Sequence, residues 1–573
     1  MERVSPATAN AARREGSVRP RAWVEGPRCD ALGSRDRASR EILGPTHRRS
    51  IVTQTAEPRE TVAAVRVDRR RGALVGSLAA LAGLVSAEVF GLLLPGRPSP
   101  VAYAAQRVID AMPDAPREAL IGAVGTLDKP LLVVGITLAV LLGGALIGSV
   151  GAARPTAVPW LLVGGGALGW LVAWNGSTSD ALGLALVVAV GVVVALLVWN
   201  RLAPAHPEPT TTATGPDVPR RTVLRMAAVV GAASAVGLGV VAVARRGSTA
   251  AVDAVRTALR IPAPTSPAPP LPAGITPDVP GIAPAITPNA DFYQIDVSLS
   301  PPAVDVATWQ LSVTGRVDAP LTLTYDQLIA LPSIERHVAL TCVSNEVGGD
   351  LVGTARWQGV RLTDVLAKVG VHADADLVMG VSVDGFTTGF PRSVLDDGRD
   401  AMVAYAMNGE PLPVRHGFPV RLVVPGLYGY VSATKWLKEI RLTTLADDVP
   451  FWLQRGWAQD GTIEAASRID VPRPHTRVAA GTVAVGGRAW HQHTGVGSVE
   501  VSVDGGPWQQ ATLAAPIGTD AWRLWSWRWS AVSGTHELRV RMHDLDGTPQ
   551  DSDVRPVFPG AASGLHTITV DVA

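Results

Sequence analysis

The chain has 573 residues, 47% of them hydrophobic, with a positive mean hydropathy. That is more apolar than a wholly water-soluble protein requires, and long enough for about three or four domains. With 51 Lys and Arg against 50 Asp and Glu there is no global basic field, which excludes a general nucleic-acid role; two cysteines, Cys29 and Cys342, exclude a disulfide framework.

Residues 1–71 are rich in Arg, Ala, Pro and Ser, with basic clusters at Arg48, Arg49 and at Arg69, Arg70, Arg71, and read as a disordered cytoplasmic tail. Residues 72–246 hold five apolar runs: Gly72 to Pro95, Leu131 to Ala153, Ala157 to Trp174, Ala181 to Trp199 and Met226 to Ala244. Each approaches the roughly 20 residues a helix needs to cross a bilayer, so a lipid bilayer is the first expected partner. Five crossings put the two ends on opposite sides. Arg69 to Arg71, Arg154 and the group Arg201, Arg220, Arg221, Arg225 fall in loops that this topology makes cytoplasmic, whereas Arg245 and Arg246 fall outside. The balance predicts a multi-pass cell-membrane protein with its C-terminal half extracytoplasmic. Trp160, Trp170, Trp174 and Trp199 are expected as interfacial anchors, and Glu88, near a span end, is expected to pack against a neighbour. The run Arg220 to Arg225 reads either as a twin-arginine export signal or as ordinary positive-inside charge. The spans contain no histidine and the chain has no Cys-x-x-Cys-His, so no haem is expected.

Residues 247–286 form a Pro-rich linker. Ten prolines between Ile261 and Pro288 predict a semi-rigid extended tether that lifts the following part off the membrane. Residues 287–448 then read as an α+β domain. Trp309, Leu311 and Val313 alternate as a strand, Tyr325 to Ala330 and Leu362 to Val369 read as helices, and Leu377 to Val383 and Val420 to Val424 as strands. Cys342 follows the apolar run Val338, Ala339, Leu340 and precedes Gly348 and Gly349, so it sits where a buried strand gives way to a loop. A thiol there is either a small core residue or a soft metal ligand. Residues 449–573 alternate as short strands, including Glu500 to Asp504, Trp525 to Trp529 and His536 to Val540, and predict an immunoglobulin-like sandwich with the tryptophans in its core or at an interface. His491 and His493 form a possible metal-binding pair on one strand face, without an evident third ligand.

Four separated motifs occur in order: Thr-Cys-Val-Ser-Asn at 341–345, Ala-Arg-Trp-Gln-Gly-Val-Arg-Leu-Thr-Asp-Val-Leu at 355–366, Ala-Tyr-Ala-Met-Asn-Gly-Glu-Pro-Leu-Pro at 404–413 and His-Gly-Phe-Pro-Val-Arg-Leu-Val-Val-Pro-Gly at 416–426. Together they resemble the sulfite oxidase family of molybdopterin enzymes, over about residues 287 to 445 and on into the C-terminal domain. The resemblance implies that Cys342 is the protein ligand of a molybdenum atom held otherwise by molybdopterin. It implies that His416, Arg421 and Lys435, with Ser432 and Thr434 before the lysine, hold the cofactor. Asp384 and Ser382 match further cofactor contacts, and Asn289, Phe292 and Tyr293 match the segment that closes over it. The C-terminal sandwich would be a dimerisation domain, making the protein a homodimer.

The departures from the family bear on substrate. Gln294 replaces an arginine, Glu346 and Val347 replace an arginine pair, and Trp457 replaces a pocket tyrosine. Sulfite is a dianion, so fewer cations and an added acid disfavour it, unless Arg356, Arg392 or Arg455 compensates; Arg356 and Trp457 are therefore counted with Cys342 as candidate catalytic residues. The expected activity is two-electron oxo transfer on a small substrate, sulfur-containing or otherwise, with an external electron-transfer partner. The alternatives are a reductive enzyme acting on sulfoxides or N-oxides, and a cofactor-free scaffold of the same fold.

Overall fold

The computed structural model describes residues 59–94, 99–112, 128–174, 178–202, 220–298 and 301–573. Most of the expected N-terminal tail and the Pro- and Thr-rich loop before Arg220 lie outside the described residues. Helix α1 (Arg59–Gly91) begins within the span assigned to that tail, so residues 59–71 are helical. It is followed by α2 (Pro100–Ala111), α3 (Asp128–Gly151), α4 (Val158–Ala173), α5 (Thr178–Leu202) and α6 (Arg220–Ala258). Five of these helices, all but α2, are long and apolar enough to cross a membrane.

Small residues bring the helices together. Gly72 and Gly76 on α1 face Gly148 and Gly144 on α3 so closely that a Cβ on either α1 glycine would collide with the opposing carbonyl; Gly83 meets Gly191 of α5, where a Cβ would lie 2.6 Å from the carbonyl oxygen. Backbone contact of this kind is how helices associate where apolar burial offers little gain. Glu88 packs against neighbours as its position suggested. Its carboxylate accepts from the Val101 N–H at 3.1 Å, closing the start of α2, and pairs with Arg245 of α6 at 3.0 Å. Trp170 and Trp174 stack on each other, while Trp199 is buried inside the bundle, not at an interface.

The Pro-rich stretch is not a free tether. Its backbone pairs with strand β3 (Ser333–Thr341): Ser266 N–H donates to Ser333 O and Glu335 N–H to Ser266 O, at 2.9 and 2.8 Å. Pro262 O accepts from the Gln358 side chain, and Leu259, Ile261, Ile275 and Ile282 pack on the core. Proline cannot donate to a ladder, so the chain lies extended along an edge and leaves most of the donating to its neighbours.

Two sheets build the domain that follows. One has the order β2 (Leu321–Thr324), β1 (Gln310–Gly315), β10 (Leu437–Thr443), β5 (Leu377–Ser382), β6 (Thr387–Pro391), with β1 and β10 parallel. The other has the order β3, β4 (Val352–Arg361), β7 (Met402–Met407), β8 (Glu410–Pro411), with β9 (Arg421–Val423) also paired to β7. The main core lies between the sheets, and a second cluster containing Phe292, Trp357, Met407 and Phe418 covers the far face of the β3–β4–β7 sheet. Strand β7 is therefore apolar throughout and buried on both faces. Helices α7 (Tyr325–Ile329) and α8 (Leu362–Leu366) occupy the expected positions; α7 is opened by a capping box between Thr324 and Gln327.

Nine further strands form two sheets facing each other across a core of Val485, Trp525, Trp529, Val540 and their neighbours. Their orders are β11 (Ala466–Val471), β13 (Gly481–Trp490), β17 (Arg523–Ala531), β16 (Thr512–Leu513) and β12 (Arg477–Val478), β19 (Thr567–Val572), β18 (Gly534–Asp544), β14 (Val496–Val503), β15 (Gln509–Gln510). The tryptophan alternation in β17 thus serves the core. Residues 449–465, grouped by sequence with this part, instead supply Trp452, Trp457 and Ile463 to the preceding domain's core. The two parts share a firm joint: Trp522 donates to Ala285 O at 2.6 Å and Gln492 to Ala339 O at 2.9 Å.

Candidate active site

Cys342 is the first residue past β3. The turn that follows is closed twice over: Cys342 N–H donates to Leu351 O at 2.9 Å, and the Asn345 side chain accepts from the Leu351 N–H at 2.8 Å. The β3–β4 pairing, ending at Thr341 opposite Val352, fixes both stems. Burial pushes the Cys342 thiol up, with the Ser344 N–H and hydroxyl and the Lys435 charge pulling the other way. Such a sulfur favours its anionic form when a cation binds it.

The thiol lines a cavity of about 140 Å³ together with Tyr293, His416, Arg421 and Lys435. Gly417 is the joint that gathers the last three. Its φ of 109° suits glycine, and a Cβ there would come within 3.0 Å of the Lys435 Cβ and 3.2 Å of the Arg421 Cβ. His416 closes a short helical turn, and its Nε2 lies 2.9 Å from Asn289 O. A carbonyl can only accept, so Nε2 carries the proton. Burial, reinforced by Arg421 and Lys435, lowers the His416 pKa to about 4, so the ring is neutral at physiological pH.

Arg421 opens β9 and is 5% exposed. Its guanidinium donates to His416 O at 3.2 Å and Leu422 O at 3.3 Å and stacks over Trp357 at 5.0 Å. Among the described residues no carboxylate forms an ion pair with it; Asp296 acts on it at a distance but pairs with Lys435. Burial pulls the Arg421 pKa down to about 10, which leaves it charged. A buried cation with no acid of its own is costly for the protein alone, and its energetics make sense once an anion arrives.

The other predicted residues divide. Phe292 is buried edge-on against Trp357 and His416 and stacked on Tyr293. Its ring fills the space that a side chain at Gly353 would need. Asp384 stands exposed at the cavity rim, and Trp457 lines the wall. Asn289 is a buttress, bonded to Glu410, Met407 O and Asn408 and not part of the lining. Ser432 donates to Tyr428 O at 2.9 Å, Thr434 shares a 2.6 Å hydrogen bond with Thr388, and Ser382 is buried with a hydroxyl that has no partner among the described residues. None of these three hydroxyls lines the cavity; Ala433, between two of them, does.

Arg356, expected among the catalytic residues, does not line the cavity: it pairs with Glu335 at 3.3 Å and leaves β4 on the face opposite its neighbours Ala355 and Trp357, which pack on the Phe292 cluster. Arg392 and Arg455 are likewise outside, bound to Ala375 O and Phe451 O. Glu346 and Val347 line a separate crevice at the joint with the C-terminal sheets, so the added acid does not face the thiol. His491 and His493 lie past the end of β13, His493 in a left-handed turn. They approach different acids, Asp544 and the pair Asp397 and Asp520, and no group of three or more His, Cys, Asp or Glu side chains that could hold a metal ion occurs among the described residues. Sequence reasoning passed over Ser344, Asp296, Phe386, Tyr430 and Trp452; Ser344 stands inside the Thr-Cys-Val-Ser-Asn motif and was open to notice.

Comparison with known proteins matches residues 298–451 to the oxidoreductase molybdopterin binding domain. The uncharacterized oxidoreductase YuiH of Bacillus subtilis (strain 168) is 39% identical over 159 residues, covering 27% of this chain and 76% of YuiH. The chain belongs to the sulfite oxidase family of molybdopterin-binding oxidoreductases. Human mitochondrial sulfite oxidase is 32% identical over 324 residues, 48% of this chain and 58% of that protein. The NADH nitrate reductase 1 of Oryza sativa subsp. japonica is 35% identical over 190 residues but covered for only 20% of its length. The chain thus spans little more than half of the human sulfite oxidase and a fifth of the plant reductase. Among solved structures, the sulfane dehydrogenase SoxCD from Paracoccus pantotrophus matches 51% of this chain and 82% of its own at 23% identity and a TM-score of 0.46.

A molybdopterin fits the donor set. A half-buried thiol that gains from a cation and a buried arginine that gains from an anion line one cavity, with a neutral histidine and a lysine beside them. As a member of this molybdopterin-binding family, the protein is an oxidoreductase enzyme.

Proposed function

We propose that this protein is a membrane-anchored, extracytoplasmic molybdenum oxidoreductase that carries out two-electron oxo transfer on a small substrate. The overall change is X + H2O ⇌ XO + 2 H⁺ + 2 e⁻, with the electrons passing to or from an external carrier. When bound, the molybdenum cofactor supplies the oxo group and the two-electron couple. The observation that carries the reading is the juxtaposition of the half-buried Cys342 thiol and the buried Arg421 guanidinium, unpaired with any described carboxylate, in the lining of one cavity.

In this reading Cys342 ligates the metal. Arg421 presents a planar fork and Lys435 a point charge to the anionic part of the pterin. His416, held in one tautomer by Asn289 O, offers its free ring nitrogen as an acceptor, and Phe292 with Tyr293 closes over the cofactor and excludes water. Asp384 meets the cofactor at the rim, while Ser432 acts through the Tyr428 carbonyl it binds and Thr434 through its bond to Thr388.

The five long apolar helices support a multi-pass anchor, and Arg69 to Arg71 in the first part of α1 with Arg220, Arg221 and Arg225 in the first turns of α6 favour a cytoplasmic N-terminus. Arg220 and Arg221, at the start of α6, suit export of a domain already folded around its cofactor. The C-terminal sheets act as an immunoglobulin-like domain through which two copies associate.

Metal analysis of the full-length protein, purified after expression with molybdate and cofactor supply, tests the reading. Stoichiometric molybdenum in the parent and its loss with turnover in Cys342→Ser are expected. Absence of molybdenum from the parent, or full retention and turnover in Cys342→Ser, overturns it.

A further inference from the structure

The loop that carries Cys342 is held from outside its own domain. It turns between β3 and β4 and meets the C-terminal sheets on both sides of the thiol. Ahead of the loop, Ala339 gives both backbone groups to that part of the chain: its N–H donates to Asp520 O at 2.8 Å, and its carbonyl accepts from the Gln492 side chain at 2.9 Å. Strand β3 is the edge of its sheet, and this pairing covers the end of the edge that leads to the thiol. Beyond the thiol, Glu346, Val347 and Gly348 share a crevice with Ser467, Gln550 and Ser563.

Two side chains grip the turn from Glu346 to Gly349. The turn is closed by the Gly349 N–H, which donates to Glu346 O at 2.8 Å, and the Gly349 carbonyl accepts from the Arg468 guanidinium. Arg468, on β11, is itself braced. Its Nε donates to Asp470 at 2.7 Å, the other oxygen of Asp470 accepts from Arg488 at 2.8 Å, and Arg488 stacks over Trp522 at 4.1 Å. A charged donor fixed in this way defines where its acceptor carbonyl must sit.

His566, just before β19, is the second. Gly348 has a φ of 78°, and a Cβ there would collide with the imidazole, so the ring lies directly against the backbone of the turn. The His566 Nδ1 accepts from the Ile469 N–H at 3.0 Å, which ties the ring to β11. Burial, with Arg468 adding to it, lowers the His566 pKa to about 4, so the ring is neutral at physiological pH and keeps that acceptor. Neither Arg468 nor His566 lines the cavity. They reach the thiol through Asn345, whose N–H donates to Cys342 O at 3.0 Å while its side chain holds the Leu351 N–H.

We propose that Arg468 and His566 are positioning residues for the metal ligand: the C-terminal sheets clasp the turn from Glu346 to Gly349 and thereby set where the Cys342 sulfur is presented. The proposal rests on the oxidoreductase reading above for what the sulfur binds, whereas the clasp itself belongs to the protein alone.

The test uses full-length protein carrying Cys29→Ser, so that Cys342 is its one thiol. In cofactor-free protein, the rate at which iodoacetamide alkylates Cys342 reports how often the turn opens. Arg468→Met keeps most of the side-chain volume and removes the donor. It is expected to raise that rate about tenfold, the effect on an opening equilibrium of losing one hydrogen bond from a charged group. The control is Arg541→Met, which breaks the pair with Glu500 between β18 and β14 and is expected to leave the rate unchanged. Gly348→Ala is expected to raise the rate as well, and adding His566→Ala to recover part of the change, because the alanine then has room. In protein expressed with molybdate and cofactor supply, Arg468→Met is expected to hold several-fold less molybdenum than Arg541→Met. An alkylation rate that Arg468→Met leaves at the parent value, or that Arg541→Met raises equally, overturns the clasp. So does simple additivity of Gly348→Ala and His566→Ala. Parent protein without molybdenum overturns the oxidoreductase reading, and the alkylation rates still decide the clasp.

Discussion

Replacing Arg421 with methionine separates a ligand-binding arginine from a structural one. The guanidinium is 5% exposed, and burial moves its pKa from 12.5 to about 10. At roughly 1.4 kcal/mol per pH unit, its charge costs the fold about 3 kcal/mol. The sign follows from linkage: below pH 10 both folded and unfolded chains hold the proton, so the penalty is present in full, and it is relieved only between pH 10 and 12.5, where the unfolded chain binds more protons. Methionine keeps most of the volume over Trp357 but gives up the donations to His416 O and Leu422 O, a loss of about 2 kcal/mol at about 1 kcal/mol for each. The net expectation for Arg421→Met is a gain of about 1 kcal/mol in the cofactor-free protein, which raises the thermal midpoint by roughly 2–4 °C. The same variant is expected to lose molybdenum on purification, because the fork that meets the cofactor's anion is gone. Differential scanning fluorimetry of cofactor-free protein, alongside metal analysis of loaded protein, reads both effects. A lowered midpoint in the cofactor-free variant together with retained molybdenum would show Arg421 to be part of the protein's own bonding, and the reasoning would be wrong.

Two more expectations concern His416 on the same wall and Arg256 at the end of α6. His416 has its pKa lowered from 6.5 to about 4, so the unfolded chain takes up the proton first on acidification. Its contribution is intact above pH 6.5 and is lost as the pH falls toward 4, amounting to about 3 kcal/mol in total; denaturant midpoints measured from pH 7 to pH 4 should fall less steeply in His416→Gln than in the parent, and equal slopes would refute the assignment. Arg256, at the end of α6, is buried and binds Asp253 at 2.7 Å, Glu410 at 3.3 Å and Pro411 O at 3.0 Å. Arg256→Met should cost about 1–3 kcal/mol, with buried Pro411 O losing its donor, seen as faster limited proteolysis near Glu410, and an unchanged cleavage rate would exclude the contact.

Much of the site was legible because its chemistry is tied to short local patterns. Cys342 at the end of an apolar strand, and Arg421 in a run of buried residues without an acid, are readable from residue type and periodicity alone. The hydroxyls of Ser432 and Thr434 were not, because sequence adjacency to Lys435 does not say which way alternate side chains turn. Successive residues leave the backbone on different sides, so Ala433 reaches the cavity while its neighbours bond inward. Arg356 failed for a similar reason: its neighbours Ala355 and Trp357 face the core, which sends Arg356 to the other face of β4. The Pro-rich stretch misled because proline content reports an extended backbone and says nothing of what the extension lies against. Here an open edge at β3 offered donors and acceptors that the stretch could meet.

That last point alters how the membrane helices relate to the cavity. A free tether would leave the domain's orientation unconstrained, but α6 runs unbroken from Arg220 to Ala258 and its last turn is pinned by Arg256 to Glu410. Glu410 in turn accepts from the Asn289 side chain, and the carbonyl of Asn289 receives the His416 Nε2 proton. Val252 and Leu259 pack on the same cluster as Phe292 and Trp357. Three polar contacts and a shared apolar cluster therefore connect the end of the last apolar helix to the wall that holds His416 and Arg421. Because buried networks of this kind settle or fail as a unit, the helix end belongs to the structural support of the cavity. Substitutions at Arg256 and Glu410 should accordingly be non-additive with those at Asn289, a coupling that residues of a passive spacer would lack.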